Sequence, residues 1–429
     1  MGGLVVPLAG SSRLRKLRHA EEETVLSGTV YEARLREQHA RLHPNTAWAA
    51  LPAGRVAEAE GPAALLASAA PLSRADGAGG DALGLPLPAG ELAAVRVRDG
   101  NAAEPAASVI RSVAFHPSAP ILLAAGLDKT LRLFACDGAR NPKLQGVHFG
   151  DMPIHTAAFS GDGAACVATG RRRFFYVYHL EAGRAERVAG IVGCEDRSLE
   201  AFVASPPGRP GPPLLAFLQD GGRVPLVSLA SRACIGTLQM PGTVRSAAFA
   251  PDGFTLLTGG GDGLVCVWDL RTQRCVERLA DAGALSIAAL AAAPGGRLYA
   301  TGGAGGIVNL YSRATHVRVG EEAVVGGLVA PRPPLRPQPL KTLGQLTSTS
   351  DTLAFSADGQ MLAFGSRLER DGLRVLHVPS RTVFANWPSS KTPLHYVHAV
   401  AFSPGGGYLA AGNARGRVLL YRLKHYENY

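Results

Sequence analysis

Apolar residues fall in short runs separated by turn-forming triplets, and the stretch from Val244 to Cys275, VRSAAFAPDGFTLLTGGGDGLVCVWDLRTQRC, shows the pattern in full. Its four runs are broken by Pro-Asp-Gly and Gly-Asp-Gly. Each run is too short for a helix and fits a strand, and both interruptions are turn chemistry. The unit recurs. IRSVAFHPSAPILLAAGLDKTLRLFACDG begins at Ile110, IHTAAFSGDGAACVATGRRRFFYVYHLEAG at Ile154, and a weaker copy at Ser198. After the Val244 copy come an Ala-rich one from Leu285 and two more from Ser350 and Val397, seven in all. Phe115, Phe159, Phe202 and Phe249 stand 43 to 47 residues apart, as do Phe355 and Phe402; the fifth copy has Ala292 or Leu290 in that place.

A four-strand unit of this kind buries both faces only against further copies of itself. That need explains why the first three runs of each copy are apolar almost throughout instead of alternating. Period and composition resemble the WD40 repeat, in which each copy is one four-stranded blade of a β-propeller. The resemblance covers residues 92–423, with the literal Trp-Asp pair once, at Trp268-Asp269. It implies an all-β fold, a seven-bladed WD40 β-propeller with a partly helical N-terminal extension. The last copy ends on RVLLYRL, the third strand of its blade. The missing fourth strand is predicted at residues 92–98, in ELAAVRVRDGN just ahead of the first copy, where it would shut the ring. A Pro-rich insertion at about 317–345, around GGLVAPRPPLRPQPLK, is expected to form no strand. In the fourth blade Thr258, Asp262, Trp268 and Asp269 are the expected structural set. Pro241-Gly242 stands where such blades carry Gly-His, so the network is incomplete from the outset.

Residues 1–90 do not repeat. The expected organisation is a basic, helical anchoring arm at 1–50, an Ala/Gly/Pro-rich linker at 51–90 and the propeller at 91–429. Within the arm, Glu21 to Glu23 mark one helical start, Thr29 is a candidate N-cap for a second helix, and Pro44 stops it. Tyr31, Leu35 and Leu42 share a face. So polar an arm recovers its ordering entropy only by docking, and a partner protein is the preferred dock.

Charge and composition refine this picture. Of 429 residues 46% are hydrophobic and only 18% charged, enough for a sizeable core, while 52 Gly and 30 Pro favour many turns over long helices. The N-terminus places its charges after its apolar residues, the reverse of a secretory signal, and the most apolar window is too short to span a bilayer. Six cysteines are scattered without a C-x-x-C pair, as expected of buried thiols in a reducing compartment; neither metal nor cofactor is expected. A soluble intracellular protein follows. A net charge of +10 favours an anionic partner such as nucleic acid. Candidate phosphate contacts are Arg13, Arg15, Lys16 and Arg18 in the arm, and Arg171, Arg172 and Arg173 at a turn between strands, with Phe174 and Phe175 expected in the core. The segment RPPLRPQPLK, 332–341, reads as an extended strap on RNA or protein.

The order of LSGTVYEARLREQHARLHPNTAWA, the linker, LAAVRVRDGN, VAFHPSAPILLAAGLDKTLRLFACDG and AGNARGRVLLYRLKHY resembles the U3 small nucleolar RNA-associated protein 18 family across nearly the whole chain. The Tyr-Glu-x-Arg-Leu-Arg and His-Pro-x-x-x-Trp-Ala pieces carry its most specific part. The likeness implies partner binding by Tyr31, Arg34, Leu35, Arg36, His43, Pro44 and Trp48. It also implies a non-enzymatic, nucleolar scaffold of the small-subunit processome, needed for pre-18S rRNA processing. Its partners would be the other WD40 subunits of the UTP-B subcomplex, the U3 snoRNP and pre-rRNA, with no membrane and no homo-oligomer.

Other motifs point elsewhere. LFACD at 133–137 matches the family's pattern for recruiting an exosome-associated helicase, but it falls on a strand, where Leu133 and Phe134 should be core. VCVWDLR, with Asp269 and Arg271, matches a pattern by which some propellers dock on a cullin ubiquitin-ligase adaptor, and a substrate receptor of that ligase is the competing function. No G-x-S-x-G, H-E-x-x-H or Walker loop is present, and His116, His155 and His398 read as structural, without carboxylate or Cys partners.

Overall fold

The computed structural model describes residues 5–7, 17–18, 23–42, 87–191, 198–315, 324–325, 328–329, 334–389 and 393–426. The chain divides into two compact units, Met1–Asp76 and Gly77–Tyr429.

In the first unit, Val5–Pro7 pairs antiparallel with Val25–Ser27, and a helix runs from Gly28 to Leu42. The helix starts one residue earlier than its candidate cap. Thr29 lies in the first turn, with its hydroxyl 3.3 Å from that of Ser27, the residue at the cap position. Glu23 precedes the short strand and is not helical; Glu21 lies outside the described residues.

The second unit is a ring of seven four-stranded antiparallel sheets. We number the blades one to seven in chain order, and call the strands of each blade a to d from the innermost to the outermost. Strand a contacts its counterparts on both neighbouring blades all the way round, blade seven against blade one included. Seven hydrophobic clusters fill the seven seams. Strands b and c face a neighbour on either side, and Ile121–Gly126, Ala165–Thr169 and Met361–Gly365 are buried almost without a break. The d strands alternate, because only one of their faces meets the core. The turns are glycine-dependent where the sequence breaks the runs. Gly263 of Gly-Asp-Gly has φ +75°, and a Cβ there would run into the carbonyl oxygen of Ala284. In blade five Ala292, opposite Tyr299, holds the place that Phe249 holds opposite Leu256.

The closing strand comes from ahead of blade one. Ala94–Arg96 pairs antiparallel with Val418–Leu423, Ala94 opposite Leu423, and the Val97 amide continues the ladder to the Leu420 carbonyl at 3.0 Å. Leu87 and Leu92 are buried in the seam between blades six and seven, and the Leu92 backbone exchanges two hydrogen bonds with the Asn386 amide.

The insertion is shorter than its sequence suggested. Lys341–Leu343 is strand d of blade five, against Val308–Ser312, and Val324–Val325 pairs with Leu328–Val329. Leu335 adds to the outer edge of blade four: its amide donates to the Arg278 carbonyl at 2.8 Å and its carbonyl accepts from Ala280 at 2.7 Å. Prolines at 334, 337 and 339 flank that residue and need no partner for the amide they lack. Leu133 and Phe134 are buried in strand c of blade one, so LFACD is core.

Candidate functional site

The arm helix carries Tyr31 and Leu35 one turn apart, with Leu35 39% exposed. Arg36 pairs with Glu32 at 2.6 Å, both exposed. Arg34 is engaged inside the arm: its guanidinium donates to both carboxylate oxygens of Glu23, at 2.6 and 3.1 Å, and to the Leu17 carbonyl. That fork fastens the helix to the chain ahead of it. His43, Pro44 and Trp48 lie outside the described residues, as do Arg13, Arg15 and Lys16; Arg18 is half-buried.

The three arginines at the turn of blade two are exposed, but two are spoken for. Arg171 forks onto Glu200 at 2.9 and 3.3 Å, and Arg172 donates to the Asp151 carbonyl at 3.3 Å. Phe175 is buried; Phe174 is half-buried, with the Arg187 guanidinium 3.8 Å above its ring.

In blade four the Trp268 indole donates to the Thr258 hydroxyl at 2.8 Å, joining two of the expected residues. Asp262 does not join them. With no histidine ahead of strand a, Met240 fills the gap and takes the Thr258 hydroxyl on its sulfur at 3.5 Å. Asp262 caps its own turn through the Leu264 amide, as Asp269 caps the next through Arg271 and Thr272. Arg271 stacks on Phe254 at 3.8 Å. The complete network sits one blade on, where Asp281 accepts from Thr301 at 2.9 Å, Asn309 at 3.1 Å and Tyr311 at 2.5 Å. Burial, ahead of the carboxylate, raises the Tyr311 hydroxyl far above its ordinary value.

The repeat also builds a ring that its separate copies hide. Arg111, His155, Glu200, Arg245, Ala288, Asp351 and His398 each stand at the inner start of strand a, one per blade. In blades one, four, five and seven the register slips there by a residue, and the bulge makes Arg111, Arg245, Ala288 and His398 the extra residue. His155 has the carboxylate partner its sequence did not suggest, with Nδ1 3.0 Å from Glu200 Oε1. Burial pushes the His155 ring below its usual range against the pull of Glu200, and His398 shifts the same way. Glu200 stays below the carboxylate range, because Arg171 and the neighbouring positive charges outweigh its own burial. Among the described residues no group of three His, Cys, Asp or Glu could hold a metal ion, and no helix is long and apolar enough to cross a membrane.

Comparison with known proteins agrees with this architecture. The model of the WD domain, G-beta repeat, matches residues 101–134, on blade one, and 232–269, from the outer strand of blade three to strand c of blade four. The U3 small nucleolar RNA-associated protein 18 homolog of Arabidopsis thaliana is 41% identical over 99% of this chain and 74% of its own length. The chain belongs to the U3 small nucleolar RNA-associated protein 18 family. A probable member from Schizosaccharomyces pombe is 32% identical over 99% of this chain and 79% of its own length. The Homo sapiens homolog is 32% identical over 80% of this chain, which spans 59% of that relative. In this family member, arm and ring lie together inside the stretch shared with the plant and fission-yeast relatives.

Proposed function

We infer that this protein is a non-enzymatic scaffold of the small-subunit processome, working in the nucleolus beside the U3 snoRNP in pre-18S rRNA processing and 40S ribosome biogenesis. The observation that carries this reading is the family likeness running through the arm as well as the ring. A closed propeller is stiff and offers two faces and a rim to different proteins at once. The arm then raises the effective concentration of one of them. Tyr31, Leu35 and Arg36 are the arm residues for docking on another WD40 subunit of UTP-B, since Arg34 braces the helix. Arm positions 13, 15, 16 and 18, with Arg173 on blade two, contribute salt-sensitive contacts to RNA phosphates.

Affinity purification at near-physiological salt tests this. U3 RNA, pre-18S RNA and UTP-B propellers are expected. A cullin adaptor recovered without those RNAs overturns it. Deleting residues 20–50 should release the ring from its partner, still folded.

A further inference from the structure

One end of the propeller channel opens into a cavity of about 530 Å³, within the size range of small-ligand sites. Strand a of each blade begins at this end, and the turns between strands b and c and between d and the next a surround it. Four arginines stand at or beside the mouth, and two are neutralised. Arg171 is held by Glu200, and Arg367 lies 3.2 Å from Asp351. Arg111 and Arg245, both on bulges, have no carboxylate within ion-pair distance among the described residues.

Gln219 lines the same cavity. It is 3% exposed, yet neither its side-chain oxygen Oε1 nor its side-chain nitrogen Nε2 is hydrogen-bonded by the chain. Buried amides are nearly always paired, and this one presents one acceptor and a donor side by side, the complement of a peptide unit. The rim is apolar in part: Leu368 is 64% exposed on the cavity's edge, and Leu285, 89% exposed, projects from a turn on the same face.

We propose that this mouth is a binding site for an extended acidic peptide segment of a partner protein. One carboxylate side chain meets Arg111, a second meets Arg245 on the facing wall, the peptide backbone pairs with Gln219, and apolar side chains rest on Leu368 and Leu285. The chemistry favours peptide over nucleic acid. Glu200, Asp351 and Asp220 share the walls and would repel a phosphate backbone carrying a charge at every unit, whereas two spaced carboxylates meet only the unpaired arginines. Every residue that lines the site belongs to the ring.

The test presents the full chain with a library of random octapeptides and measures the selected sequences by fluorescence anisotropy. Enriched peptides should carry Asp or Glu beside apolar residues. Arg245→Gln, an exposed substitution that leaves the fold unstrained, should weaken them about tenfold, as should Arg111→Gln. Gln219→Leu should weaken them as well, with unchanged thermal melting as the control. Inorganic phosphate and a uridine dodecamer should compete poorly. Selection of basic or uncharged peptides, or affinity indifferent to Arg245→Gln, overturns the proposal. Stronger binding of the dodecamer, lost in the same variants, assigns the mouth to RNA and overturns it equally.

Discussion

The side-chain amide of Asn101 donates to the Gly416 carbonyl at 2.7 Å and accepts from the Val418 amide at 2.9 Å, across 315 and 317 residues of sequence. Asn101 is 1% exposed, and the contact lies where the closing strand leaves blade seven for blade one. Gly416 has φ +75°, and a Cβ would strike the Ala106 carbonyl, so this end of the contact is held to glycine.

Asn101→Ala leaves the buried Val418 N–H without its acceptor and takes one of two donors from the Gly416 carbonyl, which keeps the Ala106 amide at 3.0 Å. We expect a loss of about 1–3 kcal/mol, read as a lower denaturation midpoint. Asn101→Asp keeps the acceptor but not the donor and should fall between the two. A midpoint unchanged by Asn101→Ala would show that the strand pairing alone holds the ring.

Asp281→Ala strips one acceptor from three donors in blade five and should cost about 3 kcal/mol. Asp262→Ala, at an exposed turn, should cost no more than about 0.5 kcal/mol. Thr258→Val leaves the Trp268 indole bare and should lie between them. Thermal melting of the three variants ranks them, and a larger effect for Asp262 would return the network to blade four.

The Glu104 carboxyl is held below its ordinary range, first by Lys143 and then by Arg132, which it meets at 2.9 Å. A carboxyl lowered on folding contributes stability that is complete above its unfolded value, near 4.3, and is lost as pH falls through the folded one. Unfolding followed from pH 6 to pH 3 should therefore fall more steeply for the natural protein than for Glu104→Gln. Parallel curves would show that this ion-paired cluster adds nothing.

Ring closure was legible because the last copy was one strand short, and a strand-like segment stood ahead of the first. Strand d of blade five was hidden, since prolines beside Lys341 masked a run of only three residues. Asp281 was missed because it sits where a histidine stands in such blades; Thr301 and Tyr311, in register with Thr258 and Trp268, were the available signal. His155 and Glu200 lie in successive copies, and neither suggests a pair by itself. Reading the copies as columns at the start of strand a would have assembled the whole ring. The arm resisted for another reason: its helix start rests on Ser27 against Thr29, a choice of cap that propensity barely separates.

Because residues 94–96 emerge from the translating ribosome long before 418–423, the clasp is made first and fastened last. Every blade must be in place before it has anything to grip, so a chain that stops a few residues early keeps an open sheet edge exposed to proteases and neighbours. Completeness of synthesis and closure of the ring become the same event.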